Sequence, residues 1–465
     1  MSLTDCRGIP VSTSDRGLLH KYEQAVDLLA SYFLDPLEVI EEMLNQEPSF
    51  AAAHCVRAAL AVGATDRSLV PMLKESVAAV EALGKRANDR ERAHIAAARK
   101  WLEGDFEGSV RAYGNILLDY PRDLLALQAA HLGDFYLGAS TMLRDRVAQI
   151  LPYWDANTPG YGYVLGMYAF GLEETALYAK AEDTGRRALE LNRRDPWAVH
   201  AVAHVMEMQG RLRDGIEWLS SREADWSRNN AFAYHNWWHL GLYYLDLGET
   251  GQVLDLYDKR IRPMPSQVPL EMIDASAMLW RLGLRNIDVG TRWERLADSW
   301  APVADHAYYA FNDVHAVMAF VGAQRFEAAE RVVKLLERKA QEADTNAMMS
   351  RDVGLPIANA LIAFGRGDYA GCIDSMLPVR TIANRFGGSN AQRDLIHLTL
   401  VEAALRARNF KLARALISER TQLKPTSPWN WQLTARSMEI AGDEIAASKA
   451  RENAESRRKA QLAVA

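Results

Sequence analysis

Cysteine is scarce: Cys6, Cys55 and Cys372 are the only three in 465 residues, and they form no Cys-x-x-Cys pair. That excludes a disulfide framework and a thiolate metal knuckle, and it predicts a reducing, cytoplasmic setting. Long apolar runs are missing as well. Nowhere do 18 apolar residues follow one another, and the opening Met-Ser-Leu-Thr-Asp-Cys-Arg-Gly-Ile-Pro lacks a signal-peptide core, so no membrane partner is expected. Neither sign of charge dominates. The 54 basic and 60 acidic residues are interspersed, for a net charge of -6 and a pI near 6.0, so the field that would gather nucleic acid is lacking. Period-2 alternation of Val, Ile and Thr is rare, which argues against a sheet protein. No P-loop, Gly-x-Ser-x-Gly, Gly-x-Gly-x-x-Gly after a strand or nucleophilic cysteine context points to a named reaction.

What is present is a composition that folds, 49% hydrophobic and 25% charged, over a length about three times that of an average domain. Ala, Leu, Glu and Arg recur at helical spacing almost throughout. Short helices are joined by a repeating turn of a Gly or Asn, a polar residue, an aromatic and a small residue. It occurs as Gly104-Asp105-Phe106-Glu107, Gly367-Asp368-Tyr369-Ala370 and Asn409-Phe410-Lys411-Leu412-Ala413, with Gln324-Arg325-Phe326-Glu327-Ala328 close to it. The glycine is expected to end one helix in the left-handed conformation, and the aromatic to fill the notch before the next.

Trp237, Leu240, Gly241 and Tyr244 satisfy the W-x2-L-G-x2-Y opening of a tetratricopeptide repeat, with Tyr257 and Pro265 following in place. The expected fold is therefore all-α, a superhelix of antiparallel helix pairs, a tetratricopeptide-like α-solenoid with a concave groove. Residues 1–20 are expected to form an irregular lead-in, 21–448 one superhelical domain, and 449–465 a charged, fraying helical tail.

Histidine is the informative residue. Four of the 11 fall in two His-x3-His motifs, His200 with His204 and His235 with His239, on consecutive predicted helices. On a helical wheel both pairs point away from the packing arc, so all four imidazoles are expected on the groove side of adjacent helices. Residues four apart lie about 5–6 Å apart and packed helices about 8–10 Å apart, so two such pairs can converge on one ligand or metal. Glu207 and Met208 extend the first motif, Trp238 is placed to stack on an aromatic or cationic group, and Tyr163 and Met167 fall on the corresponding face one repeat earlier. His131 with Asp134, Asp313 with His315, Arg351 with Asp352, and Arg393 with Asp394 add paired polar groups to apolar helices. Glu207 or Asp313 would orient an imidazole for general-base work.

The strings His200-Ala-Val-Ala-His204-Val-Met-Glu-Met-Gln-Gly-Arg211, His235-Asn-Trp-Trp-His239-Leu-Gly-Leu and Leu256-Tyr257-Asp258 resemble the tetratricopeptide repeat protein 38 family. The likeness extends over nearly the whole length, through His131-Leu-Gly-Asp134 and Tyr161-Gly-Tyr163. It implies a helical superhelix of cytosolic type and assigns the histidines no role.

The leading functional expectation is a binding protein that holds a peptide or small organic ligand in a polar, histidine-lined groove. An enzyme using the same cluster for acid–base chemistry is the first alternative, and a self-associating scaffold, hence a homo-oligomer, the second. No cofactor is called for by any motif, and a divalent metal on His200, His204, His235 and His239 is the subordinate case.

Overall fold

At Gly104 the backbone turns left-handed (φ 84°). Phe106 then opens helix Phe106–Asp119 and stacks on Trp101 of the preceding helix Asp89–Leu102, ring centroids 4.1 Å apart. Gly367 (φ 79°) and Tyr369, edge-on to Phe364 at 5.3 Å, repeat the device. Two of the turns differ from the sequence expectation. Gln324 (φ 58°) and Arg408 (φ 57°) take the left-handed position themselves, and Asn409 instead caps the next helix by accepting from the Leu412 amide at 3.3 Å. A short polar side chain at that place competes well for orphan helix amides.

The computed structural model describes residues 3–463. Among them the fold is all-α, built largely of helix pairs in which successive helices pack on one another, the tetratricopeptide-like arrangement. The exceptions are the two-residue strands Leu3–Thr4 and Pro10–Val11, which pair antiparallel. They lie in the segment expected to be an irregular lead-in, and helix Arg16–Ser31 begins within it, capped by Asp15.

The chain forms two compact units. The first runs to Val202 and includes Ala224–Ala233 and Ala343–Asn346; the second comprises Ala203–Glu223, Tyr234–Glu342 and the chain from Ala347 onward. The first is built around apolar helices such as Leu124–Tyr136 and Tyr161–Glu174, which are buried on nearly all sides.

In the second unit, helix Ala233–Leu247 is covered on almost every face. Gly241 permits one close approach, since a Cβ there would lie 2.8 Å from Met278 Cε of helix Pro269–Leu284. On another side Tyr243 lies against Gly215, where a Cβ would meet the ring at 2.2 Å, and its hydroxyl donates to the Ala203 carbonyl at 2.5 Å. The expected repeat tyrosine, Tyr244, is only half-buried. The C-terminal helix Glu444–Ala463, expected to fray, is held in this unit. Ala447, Ala450 and Ala454 are buried, and Gln461 donates to the Gly210 carbonyl at 2.9 Å while accepting from the Leu212 amide at 3.2 Å.

Candidate functional site

Helix Pro196–Met208 is set by Asp195, whose carboxylate accepts from the Trp197 and Ala198 amides at 2.9 and 3.1 Å. Pro196 stands at the first helical position, where a missing amide costs nothing. The helix delivers His204 and, one turn later, Glu207. Helix Ala233–Leu247 delivers His235 and His239, again four residues apart.

Within the second unit the ligand-capable atoms of His204, His235 and His239 lie within 4.8 Å of one another, and all three rings are buried. The His204 and His239 ring centroids are 4.4 Å apart and those of His235 and His239 4.8 Å. Two carboxylates fix the rings. His235 Nδ1 donates to Asp274 Oδ2 at 2.6 Å, and His239 Nδ1 donates to Glu207 Oε2 at 2.9 Å. A carboxylate on Nδ1 selects the tautomer whose lone pair sits on Nε2, the arrangement that orients metal-ligating histidines. Burial, followed by the neighbouring His204, His235, Arg281 and Lys424, holds His239 well below the ordinary histidine range, so its ring is neutral, as a ligand must be.

Aromatic packing completes the wall. Trp238 stacks flat on His235 at 5.4 Å, and the Arg281 guanidinium lies over its ring, 5.2 Å from the centroid. Lys424 Nζ lies 3.7 Å from Glu207 Oε1.

His200 belongs to the first unit. It is one turn before His204 on the same helix and is buried among Trp197, Phe170 and Phe232, with centroids 5.0–5.3 Å away. Met208 is half-buried at the helix end. Tyr163, Met167 and His131 come together in the first unit around a void of about 10 Å³ with Tyr32 and Gln128. Among the described residues His131 has no hydrogen-bond partner on either nitrogen, and burial, then Arg146, pushes its pKa down to about 3.

The remaining pairs make other contacts. Asp134 turns to Arg146, with Nε and Nη2 donating at 2.6 and 3.0 Å, and faces an open hollow of about 530 Å³ away from the void that His131 lines. His315 Nδ1 donates to the Phe311 carbonyl of its own helix at 2.7 Å. Among the described residues Asp313 makes no hydrogen bond to a histidine, and burial raises its pKa to about 8. Two residues of spacing put Asp313 and His315 on opposite sides of helix Ala310–Gly322. Arg351 stays exposed beside Asp352, and Asp394 is taken by Arg420 at 3.2 Å.

Asp274 escaped the sequence reading. Its signal is a carboxylate in the interior of the apolar run Met272-Ile273-Asp274-Ala275, seven residues before Arg281 and hence on the same face.

No family model matches the chain. Among solved structures it is similar to the human IFIT1 dimer with PPP-AAAA (13% identity, 97% of this chain and 96% of that one, TM-score 0.39). It is also similar to the Cut9-Hcn1 hetero-tetramer of APC/C (13% identity, 95% and 96%, TM-score 0.34), and to yeast Tom70 (10% identity, 96% and 88%, TM-score 0.32). The chain's own paired helices and turns make it an all-α helical-repeat protein. Among the described residues no helix is long and apolar enough to cross a membrane.

Proposed function

We propose that this helical-repeat protein binds a divalent transition metal on His204, His235 and His239, and that the metal presents a small organic ligand to the protein. The observation that supports the reading is the pairing of two converging imidazoles with separate carboxylates at Nδ1, His235 with Asp274 and His239 with Glu207. Three imidazoles and no thiolate suit zinc, copper, nickel or iron over calcium or magnesium. The burial of all three rings favours an ion and a small molecule over an extended peptide, which needs an open trough. His200, one turn before His204, is the fourth candidate ligand by helix spacing. Membership of the tetratricopeptide repeat protein 38 family and a cytoplasmic location, which suits three free cysteines, belong to the same proposal.

The test is titration of the metal-stripped chain with cobalt(II), read by its visible ligand-field bands. A saturable spectrum at about one cobalt per chain, lost in His204→Ala and in His235→Ala, is expected. A spectrum indistinguishable from aqueous cobalt, or one unchanged in both variants, contradicts the reading. Repeating the titration on His200→Ala decides whether that residue is a ligand.

A further inference from the structure

A second feature of the second unit stands beside the histidines and does not depend on a metal. A cavity of about 50 Å³ is lined by four cations, Arg281, Arg285, Arg420 and Lys424, against three carboxylates, Glu207, Asp246 and Asp394. Three of the cations have a carboxylate each. Arg420 grips Asp394 and donates through Nε to Asn430 at 3.2 Å; Lys424 faces Glu207 at 3.7 Å; Arg285 lies 3.7 Å from Asp246, which also accepts from Ser427 Oγ at 3.0 Å.

Arg281 is the odd one. Its side chain is 4% exposed, and among the described residues no carboxylate lies within 4 Å of it. Among the described residues its hydrogen bonds go to backbone carbonyls alone, Ala391 at 2.8 Å and Ala277 at 3.4 Å. A buried charge without a counter-ion costs several kcal/mol, so such groups are ordinarily paired. Burial lowers the pKa of Arg281 and brings that of Arg285 to about 10, the mark of cations that lack sufficient negative charge around them.

We infer that this cavity is a binding site for a small oxyanion, a carboxylate or phosphate group, with Arg281 as its principal counter-charge and Lys424 and Arg285 at its edge. The guanidinium fork matches two oxygens of such a group. Since one water needs roughly 10–15 Å³, the volume admits roughly three to five water-sized groups, the bulk of an oxyanion head and not of a larger ligand.

The experiment is thermal unfolding of the full chain, stripped of metal with a chelator, in the presence of sodium phosphate, sodium acetate or sodium chloride at matched ionic strength. A ligand that binds only the folded state raises the midpoint with the logarithm of its concentration. Phosphate, acetate or both are expected to raise it above the chloride control, and the stronger of the two assigns the class. Arg281→Met should weaken that ligand at least 10-fold. Should Arg281→Met not fold, Lys424→Met, on a partly exposed side chain, decides with an expected weakening of several-fold. Neither oxyanion exceeding chloride, or an effect that persists undiminished in the variants that fold, overturns the inference. Because no metal is present, the outcome is separate from that of the cobalt titration.

Discussion

The two units each bury histidine against carboxylate, and they do so differently. In the first, Asp123 Oδ2 receives both Arg90 Nη1 and His94 Nε2 at 2.8 Å, Arg90 also donates to the Tyr22 hydroxyl at 3.3 Å, and the other carboxylate oxygen caps helix Leu124–Tyr136 through the Ala126 amide. One carboxylate serves one imidazole, one guanidinium and a helix end. Burial pushes the Asp123 carboxyl up, yet His94 and Arg90 outweigh it and hold it far below the usual carboxylate range. That knot is closed on itself and ties helices together. In the second unit two carboxylates serve one imidazole each, both through Nδ1, and the rings are turned toward one another and toward His204. The same pair of residue types makes a strut in one place and a cluster of facing rings in the other, and which nitrogen faces the carboxylate separates the two.

Breaking the strut should have the largest effect. Asp123→Ala leaves a guanidinium and an imidazole buried without their counter-charge, for an expected loss of about 3–5 kcal/mol, read by urea unfolding of the first unit, with cobalt binding by the folded chain unchanged. Parallel loss of cobalt binding in folded protein would erase the distinction drawn between the units. Breaking the aligned pairs should do the converse. Glu207→Gln and Asp274→Asn are each expected to weaken metal affinity about 10–100-fold while shifting the unfolding midpoint little; equal affinity in wild type and both variants would show the carboxylates to be packing groups.

The smallest effect sharpens the contrast from the side of a histidine that, among the described residues, bonds to no carboxylate. His131, with a folded pKa of about 3 against 6.5, binds its proton more readily unfolded than folded. Its neutral form therefore contributes stability in full above pH 6.5, and that contribution falls as the pH drops from 6.5 toward 3. Between pH 7 and pH 5 the loss is about 2 kcal/mol. His131→Phe should flatten the stability profile by that amount over the same window, measured against wild type; an unchanged slope would place the acid sensitivity elsewhere.

Much of the fold could be read from turn chemistry, because a left-handed residue followed by an aromatic is a local requirement that local sequence meets. Arg408 and Gln324 show its limit, since the backbone takes a positive φ there without a glycine to announce it. The histidine pairs were legible because four-residue spacing fixes one helix face, and Glu207 because it continues that face. Asp274 and Arg281 were not, for their partners depend on how the next helix packs: His235 and Asp274 are 39 residues apart in the chain. Burial was misjudged for a related reason. Setting His235 and His239 opposite the repeat's packing arc implied an open face, but helix Ala233–Leu247 is flanked by the helices that bring Glu207 and Asp274, so both of its arcs are covered. Asp134 and Asp313 carried the same residue-type signal as Glu207 and yet serve elsewhere, the first because Arg146 lies 12 residues on and reaches it first.

The central claim is that buried, carboxylate-held imidazoles of the second unit bind one metal ion. X-ray absorption at the metal edge of the zinc-loaded chain tests it most directly. The account predicts a first shell dominated by nitrogen at about 2.0–2.1 Å, with the outer-shell scattering of at least three imidazole rings, which drops by one ring in His204→Ala. A shell of oxygen alone, with no imidazole scattering, would contradict it.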